Sequence, residues 1–76
     1  MTIAPNIIAA VQEEYRKARQ KFPPFNSHHE GYAILKEEVD EMWDEIKRNN
    51  KAAARKEAMQ VATMALAFLM ETSDDD

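Results

Sequence analysis

From Ala58 to Met70 the chain reads Ala-Met-Gln-Val-Ala-Thr-Met-Ala-Leu-Ala-Phe-Leu-Met, apolar on nearly every face of a helix. A helix that is apolar all round has to be buried all round. The run is shorter than the roughly 20 apolar residues that span a bilayer, and Gln60 and Thr63 interrupt it, so its cover must be protein. A chain of 76 residues supplies too little of that cover. A domain of this size buries only about 60% of the surface its unfolded chain exposes, and three helices cannot enclose one of their own on every side. The run therefore predicts an intersubunit core, with the chain forming a homodimer or homotetramer through this helix.

The remaining sequence is also helical in pattern. A first helix is expected over 6–21, after a short lead-in ending at Pro5, with an apolar stripe of Ile7 or Ile8, Val11, Tyr15, Ala18 and Phe22. Arg16, Lys17, Arg19 and Lys21 place positive charge at its C-terminal end, where the helix dipole favours it. Phe22-Pro23-Pro24-Phe25-Asn26 stops the helix, because consecutive prolines remove donors and drive their predecessors towards extended backbone. Ser27-His28-His29-Glu30 has the spacing of a capping box and opens a second helix over 28–48. Asn49-Asn50 supplies turn chemistry before a third helix over 52–71, and 72–76 is a flexible acidic tail. A single glycine and the lack of alternating β-branched runs leave no sheet. The expected fold is all-α, one domain over 1–76: an antiparallel helical hairpin plus an N-terminal helix, completed as a four-helix bundle by oligomerisation.

Within the second helix, Leu35 to Ile46 holds Glu37, Glu38, Asp40, Glu41, Asp44 and Glu45. At about 100° per residue, Tyr32, Leu35, Val39, Met42 and Ile46 share a stripe with Trp43 at its edge, and Glu38, Glu41 and Glu45 form a second stripe beside it. Glu37/Glu41, Glu41/Glu45 and Asp40/Asp44 are like-charge pairs four residues apart, an arrangement that costs stability unless a cation offsets it. On the third helix Glu57 lies on the stripe of Val61, Met64 and Phe68, with Gln60 beside it. A buried carboxylate needs a partner or a metal. If the two helices pack antiparallel, Glu38 and Glu41 face Glu57 and Gln60.

Composition narrows the chemistry. Without cysteine there is no disulfide or thiolate site, so any metal is held by oxygen or imidazole, which points to a hard cation such as Mg²⁺. A net charge of −4 argues against a nucleic acid polymer as partner. No signal peptide is visible, and a cytoplasmic setting with no membrane association is expected.

At these residues the sequence resembles the all-α nucleoside triphosphate pyrophosphohydrolases, and in particular the short MazG-like proteins. Their signature is Glu-Glu-x-x-Glu on one helix and Glu-x-x-Asp on the next; this chain has Glu37-Glu38-Val39-Asp40-Glu41 and Glu57-Ala58-Met59-Gln60. The likeness covers about residues 28–70. It implies Mg²⁺, with Mn²⁺ as a substitute, on Glu38, Glu41 and Glu57, and hydrolysis of an NTP or dNTP to the monophosphate and pyrophosphate. Gln60 departs from the pattern: it stands where the family has Asp, and its amide oxygen can ligate but brings no charge. Glu37 or Glu41 is the candidate general base. Lys51, Arg55 and Lys56 are candidates for the phosphates; His28, His29, Tyr32 and Trp43 for the base. The rival expectation is a non-catalytic nucleotide-sensing or interaction protein of the same fold.

Overall fold

The computed structural model describes residues 4–75, which form three helices and no strand: α1 (Pro5–Lys21), α2 (His28–Lys47) and α3 (Lys51–Glu71). Most of the expected lead-in, Met1 to Ile3, and the last residue of the tail, Asp76, lie outside the described residues. Phe22 ends α1 in extended backbone (φ −134°, ψ 147°), as the proline after it demands. Ser27 caps α2, its Oγ accepting from the Glu30 N–H at 3.1 Å. The second half of the expected capping box is different. The Glu30 carboxylate accepts from the Asn26 N–H at 2.8 Å, one residue further out than Ser27. At the other end Asn49 takes a left-handed φ of 60°, a conformation asparagine tolerates, and Asn50 Oδ1 accepts from the Ala53 N–H at 3.1 Å to start α3.

This short reversal makes α2 and α3 an antiparallel hairpin. α3 packs against both α2 and α1, whereas α1 and α2 do not pack on each other. The long apolar helix is therefore the central one. Phe25, Met64 and Ala67 form the buried core, with Tyr15, Ala18, Ile34, Leu35 and Phe68 against it, so one aromatic of the double-proline loop is the plug between the helices. Thr63 is fully buried and satisfied, its hydroxyl donating to the Met59 carbonyl at 2.8 Å.

The face of α2 that meets α3 is not the stripe periodicity suggests. Leu35 and Met42 are half-buried, but Tyr32, Val39, Trp43 and Ile46 are exposed, and Gly31, Ile34, Glu38 and Glu45 lie on the covered side. Gly31 is the reason: a Cβ there would stand 2.6 Å from the Phe68 ring and 3.0 Å from that of Phe25. α2 approaches through its glycine, and that rotation carries the inner acids towards α3.

Glu71, in the last turn of α3, ties α1 down. Arg19 grips it through Nε and through Nη2 at 2.6 Å, Tyr15 donates its hydroxyl at 2.7 Å, and the Phe25 N–H donates at 3.0 Å. Burial would raise the Glu71 pKa, but the hydrogen bonds from Arg19, Phe25 and Tyr15, with the guanidinium charge, overcome it and hold the carboxyl at about 2. No helix among the described residues is long and apolar enough to cross a membrane.

Candidate metal centre

Glu38 and Glu41 lie one turn apart on α2, and the antiparallel hairpin sets Glu57 of α3 against them. One carboxylate oxygen from each lies within 4.8 Å of the others. Three of the neighbouring acids have a cation close in the chain: Asp40 with Lys36 at 2.9 Å, Asp44 with Lys47 at 3.4 Å, and Glu45 with Arg48, the residue after α2, at 2.6 Å. Among the described residues no such partner reaches Glu38, Glu41 or Glu57. The like-charge stacking read from the sequence is thus relieved at Asp40, Asp44 and Glu45 and retained at Glu38, Glu41 and Glu57.

Desolvation, followed by the charges of Glu41 and Glu57, raises the Glu38 pKa from 4.5 to about 7. Hydrogen bonding with Glu57 is the main cause that raises Glu41. Carboxylates gathered without a counter-charge favour the protonated state, and a hard cation relieves the same repulsion. The donor set is three carboxylates, oxygen only, the ligand type that hard divalent cations take.

Gln60, one turn beyond Glu57, does not sit idle. Its Nε2 donates to Glu14 Oε2 at 3.1 Å, which brings a fourth carboxylate, from α1, to the edge of the cluster. Nothing in the local sequence singles out Glu14 for this place. Because α1 and α2 splay apart over α3, a cavity of ≈ 460 Å³ opens beside the cluster, with Phe22, Pro23, Phe25, Ile34 and Met64 among its walls and Glu37, Glu38 and Gln60 also facing it. On the other side of Gln60 an open groove is lined by Glu14, Arg55, Lys56 and Glu57. Apolar cavity, carboxylates and basic groove follow one another across α3.

The other expected site residues are dispersed. Arg55 and Lys56 line the groove, but Lys51 lines neither opening. His28 packs edge-on against Phe68, ring centroids 5.2 Å apart, some ten residues and about 15 Å along α2 from Glu38. Tyr32 is 62% exposed, and Trp43 is 55% exposed with the Lys47 ammonium 5.8 Å above its ring. None of these aromatics lines the cavity, whereas Phe22 and Phe25 do. Both phenylalanines belong to the Phe22-Pro23-Pro24-Phe25-Asn26 stretch that stops the first helix. What periodicity lacked was the direction in which that loop folds back. Comparison with protein-family models, curated proteins and solved structures returns no match.

Proposed function

We propose that the chain is a Mg²⁺-dependent nucleoside triphosphate pyrophosphohydrolase acting as a homo-oligomer. The observation that carries this reading is the convergence of Glu38, Glu41 and Glu57, from two helices, with ligand oxygens within 4.8 Å and, among the described residues, no ion-pair partner to offset them. These three would hold the cation, with Gln60 or the adjoining Glu14 at its border. A bound Mg²⁺ supplies positive charge for the polyphosphate oxygens and makes water a better nucleophile. Arg55 and Lys56 would meet the phosphates in the groove, and the walls contributed by Phe22, Phe25 and Ile34 would take the base. Water adds at phosphorus as the α–β anhydride bond breaks, and Glu37, on the cavity wall beside Glu38, accepts its proton. The products are the monophosphate and pyrophosphate.

One observation favours the second reading, a nucleotide-binding protein without turnover. Gln60 is neutral and spends its amide nitrogen on Glu14. Pyrophosphate release from a panel of ribo- and deoxyribonucleoside triphosphates, with Mg²⁺ or Mn²⁺, decides between the two. Metal-dependent release is expected, lowered at least about a hundredfold in Glu38→Gln and in Glu57→Gln. Nucleotide binding by a folded protein with no release from any member of the panel would establish the second reading instead.

A further inference from the structure

One stripe of α3 remains uncovered by its own chain. Lys51, Arg55, Ala58, Ala62, Leu66 and Leu69 fall on one line at helical spacing; all are exposed except the half-buried Leu66, and Leu69 is 77% exposed. The stripe is unequal along its length. Its first half is basic and then small, and beside Ala58 and Ala62 lies an apolar depression of ≈ 220 Å³ to which Ile7, Val11 and Met59 contribute. Its second half projects two leucines, and the acidic Asp74 and Asp75 follow the helix end.

We propose that this stripe pairs with the same stripe of a second copy, antiparallel, about a two-fold axis beside Ala62. This rests on the homo-oligomer proposed above and adds its interface and orientation. In that arrangement Leu66 and Leu69 of each copy enter the depression of the other, and Lys51 meets the other's Asp74 and Asp75. Shape and charge demand the same orientation. A parallel pair would oppose leucine to leucine and lysine to lysine, leaving both depressions empty. The pairing is self-complementary and closes at two copies, so it does not propagate into a fibre. Alanines at the crossing let the helix axes approach closely. The exposed stripe of α2, with Tyr32, Val39, Trp43 and Ile46, fits a second copy less well: it is bulky throughout, and the charges beside it are already spent in the Lys36–Asp40 and Lys47–Asp44 pairs.

Sedimentation equilibrium of the full chain tests this, with circular dichroism to follow the fold. Ala62→Arg sets two guanidinium groups face to face on the axis while exchanging one good helix former for another. It is expected to raise the dimer Kd at least about a hundredfold without loss of helix. Lys51→Glu, a substitution the start of a helix favours, should raise Kd about threefold to tenfold, and Lys51→Glu with Asp75→Lys should restore it. Trp43→Glu should leave the α3 pair intact. Failure of the double variant to recover would overturn the antiparallel orientation. A dimer that survives Ala62→Arg and dissociates in Trp43→Glu would overturn the α3 interface while sparing the oligomer. A wild-type chain that stays monomeric at every concentration would overturn both.

Discussion

Glu38 is where burial and like charge act on one group. Its folded-state pKa of about 7 lies above the ordinary 4.5, so the fold prefers it protonated. That preference is fully present below about pH 4.5 and is lost as pH rises through about 7. In chelator, the melting temperature of the wild type should therefore fall between about pH 5 and pH 8 more than that of Glu38→Gln, which has no charge to bury. Low-millimolar Mg²⁺ should raise the wild-type value at neutral pH by mass action and do little for the variant. Equal pH profiles and an equal Mg²⁺ response in the two proteins would remove the argument that this carboxylate awaits a cation. The trio was legible because Glu38 and Glu41 repeat at helical spacing and Glu57 interrupts an apolar stripe. Glu14 was not. Its place depends on where α1 lies across α3, and nothing local to Glu13-Glu14 tells one acid from the other.

Helix boundaries were legible to within a residue, since proline, asparagine and serine mark them by local chemistry. The rotation of α2 was not. Hydrophobic periodicity weighs side chains, and the residue that sets the rotation, Gly31, has none; its contribution is the space it leaves for Phe68 and Phe25. Gly31→Ala should for this reason destabilise the protein although alanine is the better helix former. Overpacking costs about 1–3 kcal/mol against a propensity gain of about 1 kcal/mol, so a net loss of about 1 kcal/mol is expected in urea denaturation. A variant as stable as the wild type would mean that the two rings give way freely. The expected burial of α3 is met in part by its own chain, with α1 and α2 on two sides, and its outer stripe is exposed.

For the whole molecule, the Glu71 clasp decides whether α1 belongs to the body. The Arg19 and Glu71 side chains are only 14% and 6% exposed, so removing one charge strands the other. Glu71→Gln is expected to cost about 3 kcal/mol at neutral pH. The sign of its acid dependence is opposite to that of Glu38. A carboxyl held at about 2 stabilises the fold above about pH 4.5, and that stability drains away as pH falls towards 2. The gap between wild type and Glu71→Gln in urea midpoint should accordingly narrow from pH 7 to about pH 3; a constant gap would mean that the carboxylate charge is not what holds α1. An acid at the C-terminal end of a helix, where the dipole disfavours it, was the signal that could have found this residue.

The separation of α1 from α2 also sets the order in which the molecule can come together. The hairpin joins residues close in the chain, across a reversal of two asparagines, at little entropic cost. α1 has no helix to rest on until α3 is in place, and its clasp closes a loop between Tyr15 and Glu71, 56 residues apart. The polypeptide is therefore expected to assemble against its own numbering, with φ-values higher in the α2–α3 hairpin than in α1; equal values in α1 would overturn that order. On that order the cavity beside Glu38, walled by α1 on one side, would be completed only by the last step.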